Sequence, residues 1–124
     1  MDIECSRIAQ IVLASDSPRR RRLVEFLDTA VRVVSPEIEE GPPLPGESPG
    51  NFVARLSARK AEQVARYAVD SIVIGADTTV VLDGVVLGKP VDSRDAVYML
   101  RQLRGRIHKV ITGLTMVDAR SERR

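Results

Sequence analysis

Ile11-Val12-Leu13-Ala14 runs straight into Ser15-Asp16-Ser17-Pro18, and that junction commits the front of the chain to a buried strand, a tight turn and a helix. A short apolar run closed by turn formers reads as a strand. Ser17 is a good N-cap, and Pro18 suits the first helical position, where a missing N–H costs little. A strand feeding directly into a helix opens an alternating pattern, which constrains the fold towards the α/β class. Arg19 to Arg22 then break a local rule. The positive end of a helix dipole disfavours cations in the first turn. A rule broken without structural gain marks function, and an anion supplies the reason: arginine forks and free backbone N–H groups together make a phosphate site.

The rest of the chain continues the alternation. The first helix is expected from Pro18 to about Leu27, followed by a strand over Val31 to Ser35. Residues 36–50, rich in Pro, Gly and Glu, form a long loop of the kind that carries function. A second helix is expected from about Asn51 to Ala68, then a strand from Ser71 to Ala76. Thr79 to Leu82 and Val85 to Leu87 flank Asp83-Gly84, a strong hairpin signal. Asp92 or Ser93 can cap a third helix ending near Leu103, with Gly105 as its stop. A last strand covers about Lys109 to Val117. All 124 residues read as one domain, with 118–124 a flexible basic tail.

Composition removes several classes. The chain is 44% hydrophobic and 29% charged, as in an ordinary soluble protein. No apolar run is long enough to span a bilayer and no leader is recognisable, so a cytoplasmic setting without membrane partners is expected. Cys5 has no second cysteine to pair with, which fits a reducing compartment. A net charge of +2 is too small to argue for nucleic acid, and two Phe, two Tyr and no Trp supply no stacking platform. One His and one Cys rule out a zinc site, no Ser-His-Asp arrangement stands out, and His108 reads as structural. The Walker loop is absent too.

Three anomalies remain. Leu23, Val24 and Leu27 mark the buried stripe of the first helix; at about 100° per residue Arg20 falls on it and Arg19 beside it, whereas Arg21 and Arg22 point to solvent. Lys60 lies in the middle of the face made by Val53, Leu56, Val64 and Tyr67, where it either snorkels or meets a buried anion. Asp77 ends Ile72-Val73-Ile74-Gly75-Ala76, at the strand end where open α/β sheets take ligands, and Gly75 and Ala76 keep that backbone approachable. Thr78 adds a hydroxyl able to read a polar edge. Glu37, Glu39, Glu40 and Lys89, each unremarkable alone, complete a set of carboxylates for a divalent cation and cations for phosphates.

These residues resemble a known family. Leu13-Ala14-Ser15-Asp16-Ser17-Pro18-Arg19-Arg20, Glu39-Glu40, Leu56-Ser57-Ala58-Arg59-Lys60-Ala61, Ile74-Gly75-Ala76-Asp77-Thr78, Leu87-Gly88-Lys89-Pro90 and Gly105-Arg106-Ile107-His108-Lys109-Val110-Ile111-Thr112-Gly113 stand in the order found in Maf proteins. The resemblance implies a mixed-sheet α/β fold related to inosine triphosphate pyrophosphatases. It implies hydrolysis of a nucleoside triphosphate to monophosphate and pyrophosphate with Mg²⁺ or Mn²⁺, in the branch acting on dTTP and UTP. Carried over, Asp77 is the catalytic carboxylate and Glu39 helps hold the metal. Ser15, Arg19, Lys60 and Lys89 hold the triphosphate with Arg20 in addition, while Arg19 and Thr78 contribute to base selection. Family members continue with Asp-Lys-Ala-Gly and Gly-Ile-Gln-Gly motifs that this sequence lacks. A short form would expose a sheet edge, so self-association into a homodimer is expected. The alternatives are a catalytically silent nucleotide-binding remnant and an interaction protein linked to septum formation.

Overall fold

The computed structural model describes residues 10–27 and 30–120. Its axis is β3 (Ser71–Leu82), one continuous strand where the sequence predicts two. The continuity comes from β5 (Lys109–Asp118), which pairs antiparallel with β3 from Ile72 to Val81 and leaves no place for a break. On the opposite edge β3 changes partner. β1 (Gln10–Ala14) lies parallel to Ser71–Gly75, and β4 (Val85–Leu87) pairs antiparallel with Val80–Leu82. Between those two partners, Ala76 to Thr79 have no strand beside them on that edge. β2 (Val31–Val34) lies parallel outside β1. The result is the mixed α/β sheet expected from the sequence, ordered β2-β1-β3-β4 with β5 on the far side of β3.

The hairpin turns as its residues require: Asp83 and Gly84 both have positive φ, at 53° and 79°, the geometry for which Asp-Gly is favoured. α1 (Pro18–Leu23) is capped by Ser17, whose hydroxyl accepts from the Arg20 N–H, and passes into a short 3₁₀ turn at Val24–Phe26. It is shorter than expected, and its stripe is not buried. Leu23 and Leu27 are 58% and 49% exposed, because α1 packs mainly on its own following turn. α3 (Ser93–Leu103), capped by Asp92, likewise has no buried residue.

α2 (Pro49–Ala65) organises the core. Ser48 caps it, accepting from the Asn51 N–H, and the helix starts and ends earlier than predicted. Tyr67 therefore lies beyond it and is exposed rather than sharing the apolar face. The helix lies close on the sheet at two glycines. A Cβ on Gly75 would come within 2.3 Å of the Ser57 carbonyl oxygen, and one on Gly113 within 2.5 Å of that of Val53. Gly75 is thus explained by the approach of α2, not by that of a ligand. Two apolar clusters flank this crossing, one around Val12, Ala61, Val64 and Val73, the other around Phe52, Val53 and Leu56. Between them runs a polar belt that includes Ser57, Lys60 and Asp77, all buried.

The long loop is tied to α2 at Glu47. Its carboxylate takes both forks of Arg55 at 2.7 and 2.9 Å and the Leu44 N–H at 2.9 Å. The Arg55 bonds chiefly, with the Leu44 N–H, pull its pKa down to about 2. At the other end of the molecule Ala119 exchanges backbone hydrogen bonds with Asp70 and Ser71. Asp118 closes β5 and Ala119 is held, so these two residues are not part of a flexible tail. Cys5 and the last four residues lie outside the described residues.

Candidate active site

A cleft of about 470 Å³ opens beside the unpaired stretch of β3, bordered by Glu40, Asp77, Thr78, Lys89, Leu56 and Met99. Strand alternation divides the chemistry of that stretch between two faces. Asp77 points to the α2 side and is 5% exposed. There Lys60 of α2 donates to Asp77 Oδ1 at 2.9 Å and lies 3.1 Å from Glu40 Oε2. Its Nζ also reaches the Ala76 carbonyl oxygen at 3.4 Å. The alternative of a snorkelling lysine is removed: Lys60 is 9% exposed, and a buried ammonium stands only with anionic partners. Lys89 is exposed and approaches the same carboxylate, 3.6 Å from Glu40 Oε1.

Glu40 lies within reach of both lysines. Burial pushes its carboxyl up, but the hydrogen bond and charge of Lys60, aided by Lys89, outweigh that and hold it below the usual carboxylate value. Glu39, expected at this place, has an exposed side chain; its backbone carbonyl accepts from Arg59 at 3.2 Å. Glu40, and not Glu39, meets the two lysines.

On the opposite face Thr78 is exposed. Arg20 reaches across from α1, donating from Nη2 to Thr78 Oγ1 at 2.5 Å and from Nη1 to the Ala76 carbonyl oxygen at 3.4 Å. Arg20 reaches the sheet although the apolar stripe that predicted its direction is exposed, and Arg21 and Arg22 are exposed as expected. Arg19 is exposed as well. Thr112 of β5, opposite Thr78 in the register, stands 2.9 Å from its hydroxyl. Ser15 is buried, its hydroxyl accepting the Ser17 N–H at 2.9 Å, so it shapes the turn between β1 and α1. His108 is exposed and has no part in the core.

The structure thus gathers Lys60, Asp77, Lys89, Arg20 and Thr78 around one interruption in the sheet. To them it adds Glu40, which the sequence offered among the carboxylates for a cation while Glu39 was singled out, and Thr112, which appeared only inside a motif. The arrangement combines paired carboxylates with cations on both sides of a strand edge, a donor set suited to a charged phosphate ester and its counter-ion. The sequence model of one family, described as Maf-like protein, matches residues 10–124. The chain belongs to the Maf family. Among curated Maf relatives, a dTTP/UTP pyrophosphatase of Pelotomaculum thermopropionicum is 49% identical over 114 residues, 92% of this chain and 59% of that protein. The dTTP/UTP pyrophosphatases of Symbiobacterium thermophilum and Dictyoglomus turgidum are 44% and 41% identical, over 91% and 92% of this chain and 58% and 59% of theirs. The Maf chain described here therefore spans somewhat more than half the length of those relatives. Of solved structures, a nucleoside-triphosphatase (dITP/XTP pyrophosphatase) of Mycobacterium abscessus is 17% identical with a TM-score of 0.46, covering 88% of this chain and 73% of its own. A likeness that distant carries no weight here. No helix among the described residues is long and apolar enough to cross a membrane.

Proposed function

We propose that this Maf chain forms the catalytic cleft of a nucleoside triphosphate pyrophosphatase that converts dTTP and UTP to the monophosphate and pyrophosphate. The observation that carries the reading is Lys60, buried and bound to both Asp77 and Glu40 at the unpaired edge of β3. In this reading a water oxygen bonds to the α-phosphorus, and the bond from that phosphorus to the bridging oxygen breaks. Pyrophosphate leaves with the electron pair, and Asp77 takes the proton of the attacking water. Lys89, Arg19 and Arg20 neutralise the phosphate chain, which lowers the barrier as charge gathers on the leaving group. Ser15 contributes by holding the turn from which the arginines project. Thr78 meets the base.

A divalent cation fits the donor set in kind. Asp77 and Glu40 offer hard oxygen ligands, and Mg²⁺ is commonly held by one or two carboxylates together with substrate phosphates rather than by a closed protein cage. Among the described residues no three His, Cys, Asp or Glu side chains converge, in keeping with a cation that arrives with the nucleotide. Glu40 takes the role expected of Glu39. When bound, the cation would neutralise phosphate charge and make its water more acidic.

The test is pyrophosphate release by the purified chain with Mg²⁺ or Mn²⁺, offered dTTP, UTP, CTP, ATP, GTP and 7-methyl-GTP. Release from dTTP and UTP that is lost in Asp77→Asn supports the reading. Thermal stabilisation by nucleotide without any release reduces it to nucleotide binding. Neither effect in a folded sample overturns it.

A further inference from the structure

Resting on that reading, we propose that Arg55 is a positioning residue for the cleft. Through Glu47 and the proline-rich segment before it, Arg55 sets where the Glu40 carboxylate stands relative to Lys60 and to a cation that arrives with the nucleotide.

Residues 41–47 form a strap whose first part, Gly41-Pro42-Pro43, walls the cleft beside Glu40. The strap is stiff by composition. Every residue from Pro42 to Pro45 is a proline or precedes one, which restricts the backbone at each. Gly41 and Gly46, at φ 59° and 76°, make the corners at its two ends. The second corner is closed twice. The Glu47 N–H donates to the Leu44 carbonyl oxygen at 2.9 Å, and the Glu47 carboxylate accepts the Leu44 N–H at 2.9 Å. Pro45 and Gly46 fill the centre of that turn, the residues a type II turn favours. A segment so restricted carries the position of one end to the other instead of absorbing it.

α2 grips the loop along one line of residues four apart. Gln63 accepts the Glu37 N–H at 3.0 Å, Arg59 donates to the Glu39 carbonyl oxygen at 3.2 Å, and Arg55 takes the Glu47 carboxylate with both forks. These bonds differ in kind. The first two are single and exposed. The third is bidentate and charge-assisted, and the Glu47 side chain is only 9% exposed. Arg55 is seated further by Phe52, which lines the cleft and whose ring centroid lies 5.7 Å from the guanidinium carbon. Arg55 itself does not border the cleft, and it shares no partner with Glu40, which meets Lys60 and Lys89. Its effect on Glu40 passes through the strap.

Two sites without a shared partner act independently on stability, so coupling between Arg55 and Glu40 is the signature of that transmission. The first measurement needs no ligand: urea unfolding of the full chain as wild type, Arg55→Met, Glu40→Gln and the double variant. Glu40→Gln is expected to change the unfolding equilibrium constant about threefold less, or lower still, when Arg55 is already replaced. Effects that simply multiply overturn the proposal. Glu47→Gln, which keeps the shape and an acceptor for Leu44, takes the place of Arg55→Met if the latter does not fold.

The second measurement is binding of α,β-imido UTP to the same chains by isothermal titration calorimetry, with Mg²⁺ and with EDTA. Arg55→Met should lower the Mg²⁺-dependent gain in affinity about tenfold, as Glu40→Gln does, and leave affinity in EDTA within about twofold. An unchanged gain overturns the proposal. So does equal weakening with and without Mg²⁺, the mark of a merely structural role. A wild type that gains nothing from Mg²⁺ overturns the cation role of Glu40 and this proposal with it. A folded wild type that binds the analogue in neither condition overturns the nucleotide reading, and the unfolding measurement then decides by itself whether Arg55 positions Glu40.

Discussion

The two faces of β3 carry the same kinds of group and use them differently. On the α2 face, Asp77, Lys60 and Glu40 form an ion cluster under a helix, with Asp77 and Lys60 each less than a tenth exposed. On the other face, one residue along, Arg20, Thr78 and Thr112 form a chain of hydrogen bonds open to solvent. Burial separates their capacities. Charges screened from water interact strongly and are costly to leave unpaired. Exposed polar groups contribute little to stability and remain available to a ligand. The difference assigns chemistry to the covered face and recognition to the open one, and both meet at a strand edge that has no partner from Ala76 to Thr79.

The assignment breaks most readily at Asp77. Asp77→Asn should lower the rate of pyrophosphate release from UTP about 10²-fold or more, the effect of losing a principal electrostatic group, while Thr78→Val changes the choice of base more than the rate. Near-full activity of Asp77→Asn, measured by coupled pyrophosphate assay, would remove the chemistry from the covered face. Lys60→Met comes next. It leaves the buried Asp77 carboxylate without its cation and should cost about 3 kcal/mol in urea unfolding, whereas Thr78→Val should stay within about 0.5 kcal/mol. Equal costs on the two faces would dissolve the contrast. Gly75→Ala sharpens it from the packing side. Its new Cβ meets the Ser57 carbonyl, and a loss of about 2 kcal/mol is expected because backbone must shift; an unperturbed melting temperature would mean that α2 sits higher on the sheet.

Smaller effects follow from titration and from the arginine fork. Glu40 titrates below its ordinary value of 4.5 in the folded chain. Its contribution to stability is therefore complete above that value and is lost as pH falls through the depressed one. The difference in melting temperature between wild type and Glu40→Gln should be level near neutrality and shrink below about pH 4.5. A difference that grows on acidification would reverse the sign and place Glu40 away from Lys60. Arg20→Lys keeps the charge but loses the fork that spans Ala76 and Thr78. A few-fold loss in kcat/KM for UTP is expected, because the retained charge still serves the phosphate chain while the fork on Ala76 and Thr78 is lost.

Much of this was legible in the sequence, for identifiable reasons. Ser17-Pro18, Asp83-Gly84 and Asp92 mark their turns and caps by local chemistry, and the structure places a cap or turn at each. Lys60 stood out because a lysine on an apolar stripe needs an explanation, and Asp77 because a carboxylate at the end of an apolar run does. What failed depended on neighbours distant in the chain. Leu23 and Leu27 have the spacing of a buried stripe, yet α1 packs mainly on the turn that follows it. Gly75 looked like room for a ligand and is room for a helix. Glu39 and Glu40 are chemically identical neighbours, and only the tertiary contacts with Lys60 and Lys89 show which carboxylate turns inward.

From sequence alone came the alternating elements, the residue types of a phosphate and cation site, and the ordered motifs of the Maf family, because these depend on neighbours within a few residues. Tertiary structure decided the rest. It split β3 between two partners, lowered α2 onto two glycines so that Lys60 reaches Asp77, and brought Arg20 and Thr112 to the two sides of Thr78. The bonds from Lys60 to Asp77 and from Arg20 to Thr78 join residues 17 and 58 positions apart, and hydrophobic periodicity carries no information about which distant side chains will share one strand edge.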